Sequence, residues 1–284
     1  QPRPINTDPI KYFYDDQTTP QLHGMHTVEG TPLPVSIQGY VGGGQAVGVC
    51  GSAGDEARQS QRHTWRTAVT HVEPNRILVR GYALDELMGR VSFAEAVYLL
   101  LTGELPTPAI GRLMDAMLVS LVDHGTSPPS TLAARNVATA GAPLRAWVAA
   151  GVLGFGTYHG GDIEACVRLL ERGVARVRGG VSYEEAARQI VEDHAARHET
   201  VPGFGHRLHT HDPRAARLFQ MALELEVDGA HLRMLRAIER ALNAQRPDGP
   251  HVPVNVDGAI AAVCADIGLA ASVGHALFII SRVP

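Results

Sequence analysis

Val201-Pro-Gly-Phe-Gly-His206-Arg-Leu-His-Thr-His-Asp212-Pro213-Arg214 is the stretch on which the reading of this chain turns. Gly203 and Gly205 bracket Phe204 just ahead of His206, so the backbone can turn tightly and offer its polar groups to a ligand. Asp212-Pro213 reads as a helix start, with the aspartate as N-cap and proline at the first helical position. Arg214 falls in the first turn, where a cation opposes the helix dipole by about 0.3–1 kcal/mol unless an anion stands in front of it. The helix N-terminus itself attracts anions. A ligand-facing loop, an ionisable imidazole and an anion receptor thus lie within one short span.

Outward from this stretch, glycine-rich entries alternate with amphipathic helices. Ser92-Phe-Ala-Glu95 and Ser182-Tyr-Glu-Glu185 are capping boxes, opening helices that run to Gly103 and to about His198. Ile110, Leu113, Met114, Met117, Leu118, Leu121 and Val122 keep a 3.6-residue period. Their helix is expected to end at Asp123-His124-Gly125, with Gly125 as a left-handed cap. His124 then sits at a helix C-terminus, where the dipole favours its protonated form. Further helices are expected over 130–140 and 143–155. His159-Gly-Gly161 leads into a helix with Asp162 as its expected N-cap, an apolar face of Ile163, Cys166, Val167 and Leu170, and a Glu164–Arg168 pair on the other face. Downstream helices are expected from Asp212 to about Leu225, from Ala230 to Ala244, from Asp257 as N-cap through Ile267, and from Ala271 to about Ser281. Thr67–Val72 and Arg76–Arg80 flank Pro74-Asn75 as a hairpin. Residues 1–61 are rich in Pro, Gly and Thr and lack a helical period, with a short strand expected within 33–41. The fold class is therefore all-α, with a short β-hairpin and a non-helical N-terminal extension.

With 284 residues, 45% of them hydrophobic and 19% charged, the chain can build one large or two modest globular domains. A net charge of −4 with scattered basic residues gives no electrostatic reason to expect nucleic acid or an anionic membrane as partner. Cys50, Cys166 and Cys264 are odd in number and widely spaced, which argues for a reducing, cytoplasmic setting rather than a disulfide framework. Gln1-Pro-Arg-Pro carries no apolar signal region, and the apolar run 259–280 is broken by Asp266 and His275, as in a buried helix. Gly42-Gly43-Gly44 lacks the lysine of a phosphate loop. His23, His26 and Cys50 lack a fourth metal ligand; His194 and His198 share a helix face, read as exposed, but lack a third. No metal is expected.

Taken in order, Arg80-Gly-Tyr-Ala-Leu-Asp-Glu-Leu87, Asp123-His124-Gly125, His159-Gly-Gly-Asp-Ile-Glu164, Val201-Pro-Gly-Phe-Gly-His206-Arg207, Asp212-Pro-Arg214, Asn255-Val-Asp257 and Ser281-Arg282 resemble the citrate synthase superfamily. The resemblance covers residues 62–284 and looks most like the citryl-CoA lyase branch. It implies a large helical domain (62–160 and 269–284) and a small one (161–268) that close over the substrate in a homodimer. The implied reaction interconverts citryl-CoA with acetyl-CoA and oxaloacetate. Asp257 would take a proton from the acetyl methyl group, His159 would stabilise the enolate at the thioester oxygen, and His206 would polarise and protonate the oxaloacetate carbonyl. His124 would bind the oxo-acid, Arg214 and Arg282 would hold its carboxylates, and Arg207 would also be a substrate-binding residue. Val201, Pro202, Gly203, Phe204 and Gly205 would cradle the CoA adenine.

Physical chemistry supports those residue types. A thioester α-carbon is so weak an acid that a carboxylate deprotonates it only if the enolate charge is stabilised as it develops; one well-placed donor contributes roughly 3–4 kcal/mol. Arginine forks match carboxylate geometry. Two departures stand out. The His206–Asp212 spacing is one residue shorter than in most citrate synthases, so Thr210 and His211 stand where a basic residue often contacts CoA phosphate, and the sequence stops at Pro284, before the tail that carries an arginine into the partner's site. Two other readings stay open: a citrate or 2-methylcitrate synthase that also hydrolyses the thioester, and a catalytically silent CoA-binding homologue.

Overall fold

A computed structural model describes residues 67–156 and 159–284. The expectations for 1–61, including its strand, the triple glycine, and His23, His26 and Cys50, lie outside the described residues. Local turn chemistry explains the first elements. Strands β1 (Thr70–Glu73) and β2 (Arg76–Val79) pair antiparallel, from Thr70 opposite Val79 to Glu73 opposite Arg76. Asn75 turns between them at φ 62°, a conformation asparagine tolerates better than most residues. The expected hairpin gains a third strand, β3 (Tyr82–Ala83), because Arg80 and Gly81 are both left-handed, at φ 50° and 87°, and fold the chain back onto β2. A single turn, α1 (Leu84–Leu87), follows. These elements belong to a unit that ends at Ser92; Phe93–Pro284 forms the second unit.

The second unit is helical throughout: α2 (Phe93–Thr102), α3 (Pro108–Ser120), α4 (Pro129–Thr139), α5 (Leu144–Leu153), α6 (Asp162–Arg178), α7 (Tyr183–Ala196), α8 (Pro213–Glu224), α9 (Ala230–Ala244), α10 (Val256–Asp266) and α11 (Ala271–Arg282). Its axis is α10, in which Val256 and every residue from Gly258 to Cys264 are buried, the composition expected of a helix covered on all sides. Helices α6, α8, α9 and α11 pack on it. Ile163, Cys166, Val167 and Leu170 of α6 are fully enclosed, as the sequence period requires. Each such side chain contributes roughly 1.5–3 kcal/mol through apolar burial.

Two helix ends differ from expectation. α3 stops at Ser120 rather than at Asp123. Asp123 Oδ1 accepts a hydrogen bond from the Gly125 amide at 3.1 Å, a local side-chain turn that competes with the helix, and Val122 is exposed. Gly125 keeps its left-handed φ of 78°. α7 opens as read, with Ser182 Oγ accepting from the Glu185 amide at 3.1 Å, but it ends at Ala196. His194 is buried, with Nδ1 at 2.9 Å from the Ile190 carbonyl, and His198 lies past the helix at φ 55°. The two histidines therefore do not share an exposed helix face.

The α4–α5 pair stands apart in its packing. No residue of α5 is buried, and Leu144 and Leu153 are exposed. Its closest neighbour is α4: a Cβ at Gly154 would lie 3.0 Å from Ser130 Cα. Among the described residues no helix is long and apolar enough to cross a membrane.

Candidate active site

The start of α10 decides where the chemistry sits. Asn255, not Asp257, is the N-cap: its Oδ1 accepts from the Gly258 amide at 3.0 Å, and its Nδ2 donates to the Gly205 carbonyl at 3.1 Å. Asp257 is the second residue of the helix, so capping does not engage its carboxylate. That carboxylate lines a cavity of about 370 Å³. Burial, followed by the nearby Asp162, pushes its pKa up to about 6, against the pull of Arg214 and Arg282; Asp212 adds to the rise.

Asp162 is displaced from its expected role in the same way. Gly161 is the cap of α6, and Asp162 at the first helical position makes no capping bond. The Asp162 carboxyl faces the same cavity, and burial raises its pKa.

His159 enters on a short backbone bridge, its amide donating to the Gly156 carbonyl at 2.9 Å. One ring nitrogen, Nε2, lies 2.8 Å from Ser130 Oγ, and the ring is flanked by Phe155 and Phe278. Burial, then Arg282 and His124, lower its pKa.

The loop before His206 is tied to the entry of α10. The Gly205 amide donates to the Pro253 carbonyl at 2.8 Å, and the Asn255 amide donates to the Gly203 carbonyl at 3.1 Å. Gly203 has φ 85°, and a Cβ there would lie 2.6 Å from Cys166 Sγ and 2.8 Å from Gly258 Cα. None of Val201, Pro202, Gly203, Phe204 or Gly205 borders the cavity. His206 does. Its Nδ1 accepts from the amides of Leu208 and His209, both at 3.1 Å, which leaves the ring proton on Nε2. Burial and the stacked His209 ring, 4.3 Å away, lower its pKa; Asp212 acts in the opposite sense, and Arg214 and His124 lower it further.

His124 lies edge-on to His206, with ring centroids 6.3 Å apart. The expectation that a helix dipole holds it protonated is corrected. Its pKa is lowered, by burial and then by Arg282, Arg214 and Arg207. α3 ends four residues earlier, and a dipole's effect fades within the last turn.

The three arginines differ in kind. Asp212 caps α8 as expected, accepting from the Arg214 amide at 3.0 Å, and also binds the Arg214 side chain. Arg207 is exposed at the cavity rim. Arg282 lies over the Phe278 ring, and its buried Nε and Nη1 have no hydrogen-bond partner. Burial lowers its pKa. Each unmet buried donor costs about 1–3 kcal/mol, which an arriving anion would offset.

His124, His159, His206, Arg207, Arg214, Asp257 and Arg282 thus border one cavity, although they come from widely separated parts of the chain. Such a set can hold an anionic carbonyl compound, donate to its oxygen through a neutral imidazole and move a carbon-bound proton. Sequence reasoning missed Asp162 as a cavity group, Ser130 as the partner of His159, and Asn255 as the cap. The signal for Asn255 was present, since asparagine caps as well as aspartate and Gly258 lies three residues on.

The family model "Citrate synthase, C-terminal domain" matches residues 106–284. A citrate synthase of Heyndrickxia coagulans is 27% identical over 198 residues, 68% of this chain and 50% of that protein. The chain spans about half the length of the curated relatives it matches. The solved structure of citryl-CoA lyase from Hydrogenobacter thermophilus is 42% identical, with a TM-score of 0.71, covering 78% of this chain and 83% of that one. ATP citrate lyase from Methanothrix soehngenii, in complex with citrate and coenzyme A, shares the fold at a TM-score of 0.66 and 19% identity, over 87% of this chain and 42% of that one. With most of its helical unit matched by the family model and its cavity groups drawn from the motifs quoted above, the chain belongs to the citrate synthase family.

Proposed function

We propose that this chain makes and breaks a carbon–carbon bond in acyl-CoA thioesters, interconverting citryl-CoA with acetyl-CoA and oxaloacetate as a citryl-CoA lyase does. One observation carries the reading: Arg282, half-buried and with two buried nitrogens that lack hydrogen-bond partners, shares a cavity with Asp257, whose pKa of about 6 suits a proton acceptor near neutrality. In the condensing direction Asp257 removes a proton from the acetyl methyl group. His159, held at Nε2 by Ser130, uses its other ring nitrogen to stabilise the thioester enolate. The carbon attacks the oxaloacetate carbonyl, whose oxygen takes its proton from Nε2–H of His206. Cleavage of citryl-CoA runs through the same groups in reverse, and a proton passes between Asp257 and His206 to close the cycle.

His124 binds the oxo-acid, and Arg207, Arg214 and Arg282 hold its carboxylates. The Val201–Gly205 loop receives the CoA adenine. Closure of the small domain (161–268) on the large (62–160 and 269–284) shuts the cavity to water. The exposed apolar face of α5 supports a homodimer, because a helix with no buried residue needs a partner to cover it. Buried free thiols at Cys166 and Cys264 fit a reducing, cytoplasmic setting.

Mixing the protein with citryl-CoA and following oxaloacetate tests the reading. Oxaloacetate release is expected; no release from citryl-CoA or from related 3-hydroxy-3-carboxyacyl-CoA esters overturns it. The citrate synthases among the relatives favour a second reading, in which the thioester is also hydrolysed. Thiol release from acetyl-CoA or propionyl-CoA with oxaloacetate decides for it.

A further inference from the structure

Asp162 is the cavity group to which the reaction above gives no task. It begins α6, and Cys166 stands one helical turn further on, so both project from the same side of that helix. Cys166 is fully buried beside Gly203, which in turn touches Gly258 in the first turn of α10. That side of α6 therefore faces the turn that carries Asp257, and both carboxyls line the one cavity. Among the described residues neither carboxyl has a hydrogen-bond or ion-pair partner, whereas Asp212 in the same region accepts from Arg214 and Val256. Two carboxyls that share a cavity and lack partners act on each other, because a second negative charge nearby disfavours the ionised form of the first.

We propose that Asp162 is a positioning residue for Asp257: from the first turn of α6 it sets the pH at which Asp257 becomes free to accept a carbon-bound proton. The proposal rests on the assignment of Asp257 as the base. The other groups that face Asp257 do not replace Asp162. Arg214 on α8 and Arg282 on α11 oppose it; Asp212 acts in the same sense more weakly, with its charge already committed to Arg214. Cys166, also on α6, is a neutral thiol whose pKa burial raises. On α9, Glu239 accepts from the Val254 amide and His231 pairs with Asp266 at the far end of α10. The Asp257 pKa is raised by burial first and by Asp162 next, in accord with this arrangement, whereas burial alone raises that of Asp162.

The test compares the full chain with Asp162→Asn and Asp162→Glu. The Asp257 carboxyl is titrated by carbon-13 NMR, with Asp257→Asn identifying its resonance. In Asp162→Asn the Asp257 midpoint is expected to fall by about one pH unit toward the ordinary carboxylate range. Asp162→Glu should keep it near the wild-type value. The acid limb of kcat/KM with the productive CoA ester should move with the midpoint, while KM for the oxo-acid stays unchanged. An unmoved midpoint in Asp162→Asn overturns the proposal even where turnover is intact. A moved midpoint in a protein that turns over no CoA ester upholds the pairing and overturns the proposed reaction instead.

Discussion

Asp212 holds Arg214 with a two-point ion pair, Nε to Oδ1 at 3.0 Å and Nη2 to Oδ2 at 2.8 Å, while its own side chain is entirely buried. The same carboxylate accepts from the Arg214 amide at the start of α8 and from the Val256 amide at the start of α10. One side chain thereby aims an arginine at the cavity and joins the two helices that border it. Burial by itself would raise the Asp212 pKa, but the bonds from Arg214 and Val256 outweigh it and hold the pKa low.

Asp212→Ala should therefore destabilise the fold by about 3–5 kcal/mol, as expected when one partner of a buried ion pair is removed. Chemical denaturation measures it. Because the folded pKa lies below the unfolded value, the stabilisation is present above the ordinary aspartate range and is lost as pH falls through the folded pKa. The wild-type advantage over Asp212→Ala should shrink in acid.

Arg282 should behave in the opposite way. With Nε and Nη1 unsatisfied in the ligand-free protein, its replacement by Met should leave the free fold as stable or raise it by about 1–3 kcal/mol. Oxaloacetate should then no longer raise the melting temperature. Thermal unfolding with and without the oxo-acid separates the effects; a strong loss of stability without ligand counts against Arg282 as a receptor left open for an anion.

Asp257→Asn should lower kcat by about 10²–10⁴-fold, the range for loss of a positioned base. Its effect on stability has a defined sign. Raised from 3.8 to about 6 in the fold, Asp257 favours the folded state most when protonated, and that contribution is lost as pH rises through 6. At pH 8 the variant should thus be more stable than wild type by about 1–2 kcal/mol, less than the full shift implies because the carboxylate opens onto the cavity. At pH 4 the difference should vanish.

Gly203→Ala should cost about 1–3 kcal/mol or more, since the residue has a positive φ and the new methyl would meet Cys166 Sγ at 2.6 Å. Denaturant midpoints check it. Gly258→Ala should be comparably harmful, because its methyl would meet the Gly203 carbonyl oxygen.

The residues of the sequence determined by themselves the order of the helices and several of their ends. Apolar periods and capping residues act locally, so Ser182 and Asp212 cap where their neighbours in sequence place them. The short motifs around His124, His159, His206, Arg214, Asp257 and Arg282 were legible for the same reason, as glycine loops and helix ends. Only tertiary structure decided which of two cap-competent residues, Asn255 or Asp257, caps α10, because the Gly205 carbonyl that Asn255 also binds comes from a segment distant in sequence. It likewise left Asp162 and Asp257 facing one cavity and buried two Arg282 nitrogens without hydrogen-bond partners. Those outcomes depend on how helices pack, and burial and neighbouring charge have no signature in any one stretch of chain.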